Sequence, residues 1–300
     1  MNDYHTTHVA VQKGWYDKYY KLMLVPPVIL VLLSLIYLGV FYANTGDFII
    51  RDSSLAGGTT ITLQGNYDAT LLENSLQASF DDVRIRTVND IASGKRIATI
   101  IDSSAAPEEL RVEVEKTLGI KLTSENSSIE FTGPSLSSNF YRQLIIAIIV
   151  SFILMSIVIF FLFRTFVPSL AVIFAAFSDI VIPLALINYF GISLSAAGIA
   201  AFLMLIGYSV DTDILLTTRV LKKHEGSVNG RIYGAFKTGI FMTATGLIAV
   251  LPAFFIVTGL PDSFRQIFLI LSLGLCTDIV STWLTNASII KWYADYKGIK

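Results

Sequence analysis

Apolar residues fall into one long run near the start of the chain and five more in its second half, with a polar stretch between them. The runs cover residues 22–43, 140–163, 167–190, 193–216, 238–260 and 264–290. Each is long enough to cross ~30 Å of hydrocarbon as a helix. The predicted order is an N-terminal segment 1–21, a first transmembrane helix 22–43, a water-exposed domain 44–138, a five-helix bundle within 139–292 and a tail 293–300. The bundle links are short apart from 222–237, so successive helices run antiparallel. Within the polar stretch the pattern changes to short alternating runs: strands at 59–64, 83–88, 96–101 and 128–131, and helices at 69–80 and 107–118. Pro107 opens the second helix and Gly119 can stop it. The β-α-β-β-α-β order is the split ferredoxin-like pattern. The expected fold class is therefore a polytopic α-helical membrane protein with six transmembrane helices plus one extracytoplasmic α+β ferredoxin-like domain.

Composition agrees with a bilayer location. The 300 residues are 53% hydrophobic and only 15% charged, too little polar surface to cover a water-soluble fold of this size. A formal net charge of -1 gives no basic field for nucleic acid. Where the charges sit says more. Lys13, Lys18 and Lys21 precede the first run, and Arg164 lies between the second and third. Arg219, Lys222, Lys223, Arg231 and Lys237 lie between the fourth and fifth, and Lys291, Lys297 and Lys300 follow the sixth. By the positive-inside rule both termini face the cytoplasm and the 44–138 domain lies outside the cell membrane. The polar N-terminus without a small-residue cleavage pattern makes the first run a retained span. Cys276 is the single cysteine; it sits in an apolar run, has no partner for a disulfide, and packing is its default expected role.

Candidate chemistry lies inside the bundle. An ionised carboxylate in hydrocarbon costs several kcal/mol, so an intramembrane Asp marks a functional site by default. Asp179 and Asp278 fall near the middles of the third and sixth runs, and Asp211 and Asp213 in the inner half of the fourth. Two residues of α-helix turn the chain by about 200°, so Asp211 and Asp213 face different surfaces. Lys237 and Arg219 lie at a similar depth and are candidate cationic partners, with Asp211–Lys237 the leading ion-relay pair. Hydroxyls crowd the same stretches: Thr212, Thr217, Thr218, Thr243, Thr245, Thr277, Ser281 and Thr282. They suit either a proton relay or interhelical hydrogen bonding. No catalytic constellation, metal-ligand spacing or phosphate loop is readable in the polar domain, where Gly57-Gly58-Thr59 reads as a turn into a strand. The expectation is a protein that is not an enzyme and needs neither cofactor nor metal.

One span, a domain opening with Ala56-Gly57-Gly58-Thr59 and five further spans together resemble the SecF branch of the SecD/SecF protein-export family. The resemblance includes Gly133-Pro134-Ser135, Ser178-Asp179, and Gly207-Tyr208-Ser209-Val210-Asp211-Thr212-Asp213 through Arg219. Lys237-Thr238 with Thr243 and Thr245 extends it. Bacterial members usually read Asn-Asp-Thr where this chain has Asp211-Thr212-Asp213. Lys237 stands for an Arg, Ser178 for a His and Asp278 for a Gly, and these differences are similar to the archaeal branch. The resemblance implies an accessory subunit of Sec-dependent export. Its implied partners are a SecD-like subunit, a SecYE-type translocon, exported polypeptides and membrane lipid, and an ion gradient would supply the drive. A related ion-coupled exporter of small or lipid molecules and a passive assembly scaffold are the competing readings.

Overall fold

The computed structural model describes residues 15–80, 82–89, 95–222, 226–256 and 262–299. Residues 1–14, Lys223, Lys300 and residues 257–261, which are the end of the expected fifth span and the start of the link after it, lie outside the described residues. The first apolar helix comes in two pieces, α1 (Trp15–Met23) and α2 (Val25–Thr45). Pro26 and Pro27 have no N–H to give a continuing helix, yet fit its first turn, so a new helix begins there. The bundle continues as α6 (Pro134–Phe163), α7 (Phe166–Tyr189), α8 (Ala196–Lys222) and α9 (Val228–Ile256). It closes with α10 (Asp262–Val280), a π-helical segment Ser281–Asn286 and α11 (Ala287–Tyr296). Together they form six helices long and apolar enough to cross a membrane. Helices satisfy their own backbone in lipid, and this allows Pro183 and Pro252 to sit inside α7 and α9. Burial separates centre from rim: the apolar windows of α7 and α8 are 61% and 56% buried, those of α6 and α9 only 6% and 11%. With α10, α7 and α8 make the centre of the bundle.

Between α2 and α6 the chain forms α3 (Ser53–Ala56), β1 (Gly58–Gln64), α4 (Ala69–Gln77), β2 (Arg84–Asn89), β3 (Arg96–Ser103), α5 (Pro107–Leu118) and β4 (Ser127–Thr132). The strands make one antiparallel sheet in the order β2-β3-β1-β4, with Ile61 opposite both Ile101 and Ile129. Period-two alternation sends Ile61, Leu63 and Ile101 to one face. There they meet Leu72 and Leu76 of α4 and Leu110 and Val114 of α5, all fully buried. Asp68 caps α4 by accepting from the amides of Thr70 and Leu71, and Gly119 ends α5 in the left-handed region. The turn α3, which the sequence pattern did not predict, is held by its cap Asp52.

The sheet domain is tied to the bundle through the strap before β1. Arg51 makes an isolated parallel bridge with Leu194 in the link leading to α8. The amide of Leu194 donates to the Ile50 carbonyl (2.6 Å), and that of Asp52 to the Leu194 carbonyl (3.1 Å). Asn188 of α7 donates to the Phe48 carbonyl (2.5 Å). Gly57 and Gly58 then pass where no side chain fits. A Cβ on Gly57 would lie 2.6 Å from Cα of Pro134, and one on Gly58 would overlap the Ser103 carbonyl. Both have positive φ, which glycine alone adopts freely.

Asp52 makes this joint sensitive to pH. Its Oδ1 accepts from the Ser54 hydroxyl (2.6 Å) and amide (3.0 Å), and Ser54 in turn accepts from the amide of Ala196 at the start of α8. Burial pushes the Asp52 carboxyl up from 3.8 to about 6, against the opposing pull of the Ser54 hydroxyl. The folded protein thus holds this proton more tightly than the unfolded chain, and the joint loses stability as pH rises from about 4 to about 6. Asp52→Asn keeps a capping side chain without the charge. It should raise the melting temperature at pH 7.5 and leave it nearly unchanged at pH 4, measured by tryptophan fluorescence of the solubilised protein. An equal gain at both values would show that another group is responsible.

Candidate functional site: a buried carboxylate and hydroxyl chain

Where α7, α8 and α10 meet, three carboxylates are buried together. Asp179 is 1% exposed, and Asp213 and Asp278 are 0%. The helices approach this closely because small residues stand at the contacts. A Cβ on Gly274 of α10 would overlap Leu205 of α8, and one on Gly246 of α9 would lie 2.9 Å from the Tyr208 hydroxyl oxygen. Hydroxyls connect the carboxylates in a line. Ser281 donates to Asp179 Oδ1 (2.5 Å), while Ser209 lies in hydrogen-bond contact with Asp179 Oδ2 and 3.3 Å from Asp278 Oδ1. Thr212 donates to Asp278 Oδ1 (2.9 Å) and Thr243 to its Oδ2 (3.2 Å). Thr282 lies 3.0 Å from Asp278 Oδ1 and 2.9 Å from Asp213 Oδ1, and Asn286 donates to that same Asp213 oxygen at 2.7 Å.

Two hydroxyls therefore stand between pairs of acids: Ser209 between Asp179 and Asp278, and Thr282 between Asp278 and Asp213. Each has one proton to donate and two carboxylates to satisfy. The result is an acid–hydroxyl–acid–hydroxyl–acid chain across three helices, a geometry in which a proton can step along by hydroxyl rotation. Among the described residues, no Lys, Arg or His forms an ion pair with any of the three carboxylates, and no group of acidic, His or Cys side chains is arranged to hold a metal.

The structure brings together three of the four acids expected to matter, and leaves one outside. Asp211 projects from the exposed face of α8, on the far side from Asp213, as the 200° rotation requires. Lys237 of α9 is also exposed, and no ion pair joins it to Asp211 among the described residues. Arg219 donates to the Gly234 carbonyl (2.5 Å), fastening the end of α8 to the start of α9. Tyr208 donates to the Met242 carbonyl (2.8 Å), and Gly207 has nothing within 4 Å of where its Cβ would be. Of the hydroxyls, Thr245 and Thr277 bond carbonyls of their own helices. Asn286 was missed by sequence reasoning. Its signal was spacing: Asp278, Thr282 and Asn286 recur every four residues in an otherwise apolar run.

Six apolar helices around a charged interior, with a sheet domain at one end, define a polytopic membrane protein. Residues 113–296 match the family model described as protein export membrane protein SecD/SecF, C-terminal. The protein-export membrane protein SecF of Methanolacinia petrolearia is 36% identical over 93% of this chain and 95% of its own length. That of Methanothermobacter thermautotrophicus is 36% identical over 94% and 95%. The chain belongs to the SecD/SecF protein-export membrane protein family. Among solved structures, the translocon-associated SecDF of Thermus thermophilus superposes with a TM-score of 0.75 at 19% identity, over 96% of this chain. This chain spans 39% of the length of that SecDF polypeptide. SecDF in its super-membrane-facing form gives a TM-score of 0.57 over 93% of this chain.

Proposed function

We propose that this protein is an accessory subunit of Sec-dependent protein export that works with a SecD-like subunit. The observation that carries the role is family membership along nearly the whole chain, with relatives of the same length named for protein export. The likeness to one segment of a longer SecDF polypeptide supports a second half supplied by a separate chain. The open face of α8 and α9 suits that half. It displays Asp211 and Lys237 beside Met204 and Phe241, large apolar side chains 58% and 63% exposed. Asp211 and Lys237 act there, at the contact between halves.

The cycle is coupled to an ion gradient through Asp179, Asp213 and Asp278. Three full negative charges at this depth without a cationic side chain would cost several kcal/mol each, so a bound cation, in the simplest case a proton, balances them. The sheet domain is ferredoxin-like and extracytoplasmic, with both termini cytoplasmic. Its β-α-β-β-α-β order, two helices on one sheet face and the Lys/Arg distribution support this reading. Residues 44–138 then form the domain that meets the exported polypeptide, and 139–292 the bundle that meets lipid and the SecYE-type translocon.

Affinity-tagged protein purified from its own membranes tests the assignment. The expected result is recovery of a SecD-like subunit and translocon subunits in stable proportion, and slower secretion of a reporter when the protein is depleted. Recovery of neither partner, with normal secretion on depletion, would overturn the role.

A further inference from the structure

The face of the sheet turned away from α4 and α5 stands over the ends of α7, α9 and α10, and between them lies an open cleft of about 400 Å³. Period two puts Val88 of β2 and Ile100 of β3 on that face. Phe190 just past α7, Phe254 of α9, and Arg265 and Leu269 of α10 continue the lining. The cleft therefore lies where the apolar runs end, at the level of lipid headgroups. Arg265 supplies its charge. The short links on this side, 188–193 and 259–263, contain no Lys or Arg, so a cation here runs against the distribution that orients membrane proteins. The guanidinium carbon of Arg265 lies 5.1 Å from the centre of the Phe254 ring. Among the described residues, Arg265 forms no ion pair or hydrogen bond. Arg86 also reaches the cleft but is balanced by Asp102 at 2.7 Å. None of the described residues that line the cleft is acidic, which leaves one positive charge uncompensated.

We propose that the cleft binds one phospholipid molecule, with its phosphate on Arg265 and the start of an acyl chain over Phe254 and Leu269. Contact with an aromatic ring leaves the N–H fork of a guanidinium available to an anion, and a phosphodiester accepts two such bonds at once. One phosphodiester charge matches the one unbalanced cation. The apolar part of the lining then separates lipid from other occupants. A free phosphate ester would leave Val88, Ile100 and Leu269 uncovered, and an extended apolar polypeptide would leave Arg265 without an anion. A phospholipid supplies both halves, and basic pockets between membrane helices are suited to headgroups. The site is also held in shape before any ligand arrives. Gln266, next to Arg265 and 6% exposed, accepts from the Ser195 amide (2.7 Å) and hydroxyl (2.5 Å) and donates to the Ser193 carbonyl (2.5 Å). These bonds fasten the start of α10 to the link before α8, so Arg265 projects from a fixed turn. The site follows from the membrane-spanning architecture and stands whether or not the protein drives export.

Native mass spectrometry of the full chain in detergent tests the site, with phosphatidylglycerol as the probe. One copy should be retained, and Arg265→Gln should weaken its binding at least about tenfold, the scale of a lost charge-assisted hydrogen bond. Arg164→Gln, an exposed cation at the other end of the bundle, should leave binding unchanged. Equal losses in the two variants would reduce the effect to overall charge and overturn the proposal. Uncharged diacylglycerol and glycerol 3-phosphate each carry one half of the ligand and should bind much more weakly. If either binds as well as phosphatidylglycerol, the cleft is an apolar slot or a phosphate site and the lipid assignment fails. Displacement of the lipid by an unfolded secretory peptide would assign the cleft to polypeptide instead. Arg265→Lys provides a second reading in case the Gln variant folds poorly. It keeps the charge without the fork, so phosphatidylglycerol should still raise its melting temperature, by less than in the unaltered protein. An equal rise in both would show that Arg265 does not hold the phosphate.

Discussion

Asp278→Asn is expected to reduce export to the level seen without the protein, while leaving the fold as stable as before or more stable. Asp278 is the middle link of the chain. Its Oδ1 lies 2.9 Å from Thr212 and 3.0 Å from Thr282, its Oδ2 3.2 Å from Thr243, and Ser209 ties it to Asp179. A carboxamide fills the same space, and the surrounding hydroxyls can rotate to accept from its NH₂ group. A neutral carboxamide also escapes the desolvation cost that an unpaired buried charge carries. The same change removes the only acid that touches both bridging hydroxyls, so no ion can pass between Asp179 and Asp213. Reporter secretion and the melting temperature should therefore move apart. Normal secretion at normal protein level would exclude ion flow through this chain, and loss of both together would mean that Asp278 serves the fold alone. Asp211→Asn provides the contrast: an exposed position where any effect should depend on the partner half.

Gly274→Ala should destabilise the bundle, although alanine is the better helix former by roughly 1 kcal/mol in an ordinary helix interior. Packing overrides propensity here. All three atoms nearest to an added Cβ belong to Leu205, one of them 2.9 Å away and the others closer. Leu205 is itself fully buried among Phe202, Ile199 and Ile270 and has nowhere to swing. Overpacking of this kind costs ~1–3 kcal/mol. It also pushes α10 from α8, the two helices that carry Asp278 and Asp213, so the melting temperature and export should fall together. Leu205→Ala alone leaves a cavity and costs about 2–5 kcal/mol. The pair Leu205→Ala and Gly274→Ala should cost less than the sum of the two, because the new methyl fills part of the space vacated. Additive costs would show that the clash at Leu205 is not the cause.

The long runs and the short alternating ones were legible because each depends on local repetition. A helix in lipid needs only a sufficient length of apolar side chains. A strand against a helical layer needs only every second position apolar, as at Ile61 and Leu63. Local chemistry also located the turns, with Pro107 and Gly119 bounding α5. The break at Leu24 and the turn α3 were harder to read. The first depends on the two prolines acting together and the second on a single capping carboxylate, so neither leaves a periodic trace.

The candidate site divides along the same line. By itself the sequence determined that acids lie within the membrane-spanning runs, that hydroxyls accompany them, and that Asp211 and Asp213 point apart, because composition and helical rotation are properties of one element at a time. Which acids share a site was decided by the tertiary structure alone. Asp179, Asp213 and Asp278 are separated by tens of residues and come together only because glycines let α8, α9 and α10 approach closely and a π-helical turn presents Ser281, Thr282 and Asn286 to them. Asp211 was equally acidic and equally deep in the sequence, yet rotation about the axis of α8 places it on the open face. Depth in a membrane can be read along one dimension. The identity of a neighbour depends on the packing angle and rotation of several helices at once, and no single segment of the chain contains that information.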